Sequence, residues 1–106
     1  MHPYQEIEAA ELATLLNDKN LVLVDVRNDD EVAQGYIQGA IHIPLAAIPS
    51  NYESLLKAEK LVFYCHSGIR SAHAAAFLAQ HDYDGGYNLI GGIVAWLKAG
   101  LPIVKK

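Results

Sequence analysis

The stretch Leu61-Val62-Phe63-Tyr64-Cys65-His66-Ser67-Gly68-Ile69-Arg70-Ser71 decides how this chain folds. Four apolar or aromatic residues run into Cys65, and an alanine-rich stretch, Ala72 to Gln80, runs out of Ser71. The pattern predicts a buried strand, a tight loop and a helix from about Ile69 to His81. Cys65 is the only cysteine, and it falls where the strand ends. The loop brings backbone N–H groups and a first helical turn around the sulfur, an arrangement that binds anions. With Arg70 added, these surroundings favour thiolate over thiol. A lone cysteine is ordinarily a small buried apolar residue. The strand–loop–helix setting is what marks this one as a nucleophile in a cradle for negative charge.

Working outward, the same alternation of strand and helix recurs. Leu21-Val22-Leu23-Val24 is unbroken and partly β-branched, as suits a central strand buried on both faces. It ends in Asp25-Val26-Arg27. Asn28 or Asp29 then caps a short helix through Glu31, Val32 and Ala33, which Gly35 stops. Gly35 to Ala40 is a turn, Ile41-His42-Ile43 a short strand, and Leu45 to Ile48 one helical turn before Pro49. Tyr52 to Lys57 reads as a short helix. Upstream, Gln5-Glu6-Ile7 is a short edge strand, and Glu8 to Leu16 carries an apolar face at helical spacing. Downstream, Asp82 to Gly86 is a loop and Tyr87-Asn88-Leu89 a strand. Gly91-Gly92 opens a last helix through Ala95, Trp96 and Leu97, which Gly100 ends. Alanines 72, 75, 76 and 79 let the helix after Cys65 lie close to a sheet. The order predicts one α/β domain over 1–106 with a mainly parallel sheet. Asp25 and Cys65 both fall at carboxyl ends of central strands, the edge where open α/β sheets bind ligands.

Composition bounds the function. The 106 residues fit one domain, and 52% are apolar. A formal net charge of −4 argues against nucleic acid as a partner. One cysteine makes no internal disulfide. The N-terminus, Met1-His2-Pro3-Tyr4-Gln5-Glu6, has no basic segment followed by an apolar one, so it does not read as a signal peptide. No apolar run approaches the roughly 20 residues needed to span a bilayer. The expectation is a cytoplasmic protein with no membrane partner.

These residues resemble the rhodanese family. Val24-Asp25-Val26-Arg27, Glu31 and Gly35-Tyr36-Ile37-Gln38-Gly39-Ala40-Ile41-His42-Ile43-Pro44 resemble its first signature. Cys65 to Ser71 is similar to its active-site loop. Leu89-Ile90-Gly91-Gly92 with Trp96, Gly100 and Pro102 resembles its C-terminal signature. The resemblance covers nearly the whole chain. It implies an open five-stranded parallel sheet with helices on both faces. It also implies sulfurtransfer through a persulfide on Cys65, from a small donor such as thiosulfate to a thiophilic acceptor, cyanide in the usual assay. Loop N–H groups from His66 to Ser71, that is His66, Ser67, Gly68, Ile69, Arg70 and Ser71, would stabilise the anionic sulfur. Arg70 would hold the sulfonate end of the donor. No metal or organic cofactor is required.

The remaining residues read as follows. Asp25 holds neighbouring loops by hydrogen bonds. Arg27 and Glu31, four apart, can pair across a helical turn, a structural ion pair being favoured over contact with substrate. An arginine in the first turn of a helix opposes the helix dipole, so a ligand or carboxylate should offset Arg70. Trp96 belongs to the core. His66 either tunes the thiolate or faces solvent. His42, His73 and His81 lack metal-like grouping. Two rival functions stand beside sulfurtransfer. One is a persulfide carrier or binding module loaded by a partner protein, which uses the same nucleophile. The other is a cysteine-based phosphatase, whose pattern has five residues between Cys and Arg where this chain has four, and which needs a general acid.

Overall fold

The computed structural model describes residues 4–83 and 85–105. Five strands pair in parallel: β1 (Gln5–Ile7), β2 (Leu21–Asp25), β3 (Ile41–His42), β4 (Lys60–Tyr64) and β5 (Gly86–Leu89). Their spatial order is β1-β5-β4-β2-β3. The α-helices are α1 (Ala9–Leu15), α2 (Asp29–Ala33), α3 (Ile48–Asn51), α4 (Ile69–Gln80) and α5 (Gly92–Lys98).

β4 occupies the centre, and its alternating side chains build both halves of the core. Val62 and Tyr64 join Leu23, Leu89, Leu12 of α1, and Ile93 and Trp96 of α5. Leu61, Phe63 and Cys65 join Val24, Ile48, and Ala74, Ala75 and Leu78 of α4. Helices therefore cover both faces, which is why β4 carries no polar residue between Leu61 and Tyr64. Each fully buried large side chain here contributes about 1.5–3 kcal/mol relative to exposure. Trp96 is part of this core, and its Nε1 donates to Pro102 O at 2.8 Å.

The topology positions the site. From β2 the chain moves outward to β3; from β4 it moves outward the other way to β5. The switch lies between β2 and β4, where Asp25 stands beside Tyr64, one residue before Cys65. Ligands of open α/β sheets bind beyond the strand ends at such a point.

Several local expectations need correction. α1 is one residue shorter at each end than Glu8 to Leu16. β2 runs on through Asp25, and β5 starts one residue earlier, at Gly86. β3 stops at His42, opposite the end of β2 at Asp25, and Ile43 N donates the last ladder bond to Asp25 O at 3.0 Å. Leu45–Ala47 is a 3₁₀ turn, and Pro49 does not end it but sits in the first turn of α3, where a missing N–H is harmless. Tyr52–Leu55 is likewise 3₁₀ and shorter than expected. The alanines buried against the sheet are Ala74 and Ala75, with Ala72, Ala76 and Ala79 only partly covered. Near the C-terminus, Val104 forms an antiparallel bridge with Tyr36. Of the segments read from sequence, Met1–Pro3 of the N-terminus, Asp84 of the 82–86 loop, and Lys106 lie outside the described residues.

Candidate active site

Cys65 is buried at the carboxyl end of β4. Its Sγ accepts a hydrogen bond from Gly68 N at 3.0 Å and stands 3.3 Å from Ser71 Oγ. Gly68 caps α4 with φ of 104°, a left-handed conformation that glycine adopts without penalty. That kink turns its N–H back onto the sulfur.

The far side of the loop is held by α5. Ile93 N donates to Cys65 O at 2.9 Å and Val94 N to His66 O at 3.2 Å. Gly92 makes this approach possible: a Cβ there would lie 2.5 Å from both carbonyl oxygens. With the loop carbonyls drawn to α5, its amides are left to face the sulfur. Burial alone would push the Cys65 thiol up. The Ser71 hydroxyl and the backbone N–H groups of Ser71, Gly68 and Ser67 outweigh burial, and the pKa falls below the ordinary thiol value.

Beneath the sulfur runs a short polar network. Ser71 Oγ lies 2.5 Å from Asn88 Oδ1, and Asn88 Nδ2 donates to Gly68 O at 3.1 Å. Ser71 and Asn88 are both buried. The sequence reading assigned Asn88 to a strand and gave it no role. A polar side chain amid apolar strand residues was the available signal, since a buried amide must find partners.

Arg70 meets a carboxylate, as a first-turn arginine should. Its Nη1 and Nη2 meet Glu31 Oε1 and Oε2 at 2.6 and 2.8 Å, a bidentate pair between α4 and α2. Glu31 Oε1 also accepts from Asn28 N at 3.1 Å. Arg70 holds the Glu31 carboxyl down at about 2, with burial opposing. The carboxylate that offsets the helix dipole is thus Glu31, and the expected Arg27–Glu31 ion pair does not form. Glu31 turns toward α4, and Arg27 reaches only its backbone carbonyl, at 3.5 Å. The lowered Cys65 pKa follows from hydrogen bonds within the loop, with Arg70 engaged elsewhere.

Asp25 and Arg27 are buried together. Arg27 Nη2 meets Asp25 Oδ2 at 2.8 Å and also donates to Gly35 O at 2.7 Å. Arg27 N donates to Asp25 Oδ1 at 3.0 Å, and the guanidinium lies 5.7 Å from the centre of the Tyr64 ring. Burial works against the Arg27 charge, but Asp25 outweighs it and raises the pKa. The pair ties the end of β2 to the turn after α2. Tyr64 completes the tie, its hydroxyl accepting from Ile37 N at 3.0 Å.

His66, Ser67 and Ile69 are exposed, and Gly68 and Arg70 half-buried. His66 thus faces solvent. His42 bonds Arg27 O, His81 bonds Phe77 O and stacks on its ring, and His73 lies on the surface. Among the described residues no cluster of His, Cys, Asp and Glu could hold a metal ion.

A relative from Allochromatium vinosum named "Sulfurtransferase" is 43% identical over 93% of this chain and 94% of its own length. The thiosulfate sulfurtransferase GlpE of Actinobacillus succinogenes is 32% identical over 94% of this chain and 90% of its own. The crystal structure of a rhodanese-related protein from Thermoplasma volcanium superposes with a TM-score of 0.86 at 32% identity, covering 97% of this chain and all of that one. Residues 8–99 match the rhodanese-like domain throughout, and the chain belongs to that family.

Proposed function

We propose that this protein is a sulfurtransferase that carries sulfane sulfur as a persulfide on Cys65. The observation that carries the reading is the buried sulfur itself. The Ser71 hydroxyl and the backbone N–H groups of Ser71, Gly68 and Ser67 lower its pKa in spite of burial. Thiolate is the attacking species, and Gly68 N at 3.0 Å and Ser71 Oγ at 3.3 Å from Sγ are placed to favour it.

In the first step the Cys65 thiolate attacks the outer sulfur of thiosulfate or a similar donor. A new S–S bond forms, the donor's S–S bond breaks, and sulfite leaves with the electron pair. In the second step an acceptor nucleophile, cyanide in the assay, takes the outer sulfur and Cys65 returns to thiolate. The N–H groups of Ser67, Gly68 and Ser71 that face the sulfur stabilise charge in both steps. Arg70 guides an anionic donor to the extent that it is released from Glu31. Asp25 and Arg27 support the loop through β2 and the turn at Gly35. Neither step needs a metal or organic cofactor. A relative named as a thiosulfate sulfurtransferase supports thiosulfate as a donor.

The same nucleophile serves a carrier loaded by a partner protein, so the test begins with loading. Incubation with thiosulfate, followed by intact-mass analysis and peptide mapping, should show one added sulfur atom on Cys65. Multiple turnovers with cyanide should follow. Absence of the adduct overturns thiosulfate as the donor; absence of an adduct with an organic persulfide as well overturns the reaction class, and an adduct without turnover leaves a carrier.

A further inference from the structure

We propose that Glu31 sets donor specificity: by occupying Arg70 it biases the site toward organic persulfides and against the thiosulfate dianion. The inference rests on the sulfurtransfer reading above and names its substrate class. Each Nη of Arg70 donates to one oxygen of a single carboxylate, a bidentate pair that offsets the guanidinium charge. Glu31 is itself fixed from behind. Asn28 N donates to it, and Arg27, anchored on Asp25 and Gly35 O, reaches its carbonyl. Arg27 is buried in its own pair, so each arginine beside the loop already has a carboxylate partner. Asp29 and Asp30 add two exposed negative charges on the same helix.

A thiosulfate ion carries its charge on a sulfonate that must lie near the loop while its outer sulfur meets an anionic thiolate. Arg70 keeps further N–H groups, but Glu31 already offsets its charge, so a sulfonate drawn there meets a weakened cation with a carboxylate beside it. A persulfide R–S–SH has no sulfonate. Its outer sulfur bonds to Cys65, its S–S bond breaks, and R–S⁻ leaves with the electron pair while the proton stays on the new persulfide. No oxidant is needed. The rim suits an organic R group. Ile69 is 69% and Ile90 42% exposed. They follow Gly68 and precede Gly91, and a Cβ on Gly68 would sit 3.4 Å from Gly91 N. Discrimination of this kind works by leaving the wrong partner an uncompensated charge.

The test measures the rate of sulfur loading onto Cys65 in the full chain, with thiosulfate and with benzyl hydropersulfide as donors. Wild type is compared with Glu31→Gln and Glu31→Asp. The mutant-to-wild-type ratio for each donor cancels intrinsic donor reactivity. Glu31→Gln should raise loading from thiosulfate about three- to tenfold, through tighter donor binding, and raise loading from the persulfide less. Glu31→Asp, with a shorter reach, should fall between. Circular dichroism checks the fold, and if Glu31→Gln does not fold then Glu31→Asp decides. Equal ratios for the two donors, or slower thiosulfate loading in a folded variant, overturn the inference. Loading of wild type by neither donor overturns the sulfurtransfer reading as well, whereas loading with equal ratios spares it.

Discussion

Replacing Ser71 with alanine removes one oxygen that serves two acceptors. The hydroxyl has a single proton. It lies 2.5 Å from Asn88 Oδ1 and 3.3 Å from Cys65 Sγ. The shorter bond to Asn88 suits the protonated thiol, and the thiolate gains by drawing the proton toward sulfur. That gain is net of a weakened bond to Asn88. It therefore belongs at the low end of the range for hydrogen bonds to charged groups, about 1.5 kcal/mol. Ser71→Ala should then reduce the thiolate-to-thiol ratio about tenfold at pH values below the titration midpoint.

The assay is the rate of reaction with a small aromatic disulfide, measured across pH. Two effects compete in it. Thiolate becomes scarcer, yet a more basic thiolate is more nucleophilic, with a Brønsted coefficient of about 0.4–0.5. A tenfold loss of thiolate thus brings roughly a threefold gain in reactivity per thiolate. The variant should react about threefold more slowly at low pH and about threefold faster on the alkaline plateau, so the two curves cross. A merely loosened loop would not produce a crossing. Asn88 Oδ1 loses its donor in a buried site, so the variant should also be less stable by about 1–3 kcal/mol in urea unfolding. Ser71→Thr keeps the hydroxyl and should restore the profile. Superimposed curves, or a shift to lower pH, would refute the role given to this hydroxyl.

Cys65→Ser should abolish sulfurtransfer in the thiosulfate–cyanide assay while the circular dichroism spectrum stays unchanged; turnover in the serine variant would contradict the persulfide route. Gly92→Ala should destabilise the fold by at least about 2 kcal/mol in urea unfolding, because φ is +59° and the new Cβ meets two backbone oxygens at 2.5 Å. The pair between Glu31 and Arg70 predicts an acid dependence. Glu31 titrates at about 2 in the folded chain against an ordinary value of 4.5, so its stabilising effect is fully present above about 4.5 and is lost as pH falls toward 2. Arg70→Ala should lower stability at neutral pH by about 1 kcal/mol, discounted for solvent screening of this part-exposed pair, with the difference from wild type vanishing near pH 2. A gap independent of pH would show that Arg70 acts through packing alone.

What the sequence disclosed and what it withheld follow from the range of the forces involved. β4 and β2 were legible because burial on both faces demands unbroken apolar runs, and β4 lies between two strands in the middle of the sheet. The loop was legible because a cysteine at a strand end, a glycine at a helix cap and a helix start are all local signals. Pro49 was misread because proline both ends and begins helices, and which it does depends on whether its neighbours pack. Here Ile48 is buried, so the chain coils on through Asn51. The bridge between Tyr36 and Val104 carries no local signature at all.

Side-chain pairing was the hardest to read. Sequence spacing offered Arg27 to Glu31, four residues away, but Arg27 precedes the Asn28 cap and is not on α2. The topology sets a competing choice. Asp25 ends β2 and Arg27 follows it by two, so backbone and side chain of Arg27 both close onto one buried carboxylate. Leaving that carboxylate unpaired in the interior would be far more costly than leaving a half-exposed one. Once Arg27 is committed, Glu31 is free to meet Arg70, 39 residues on, across the end of the sheet. The pairing at the mouth of the site is therefore decided by burial at its base. By claiming Arg27, Asp25 leaves the Glu31 carboxylate to the one arginine of the Cys65 loop.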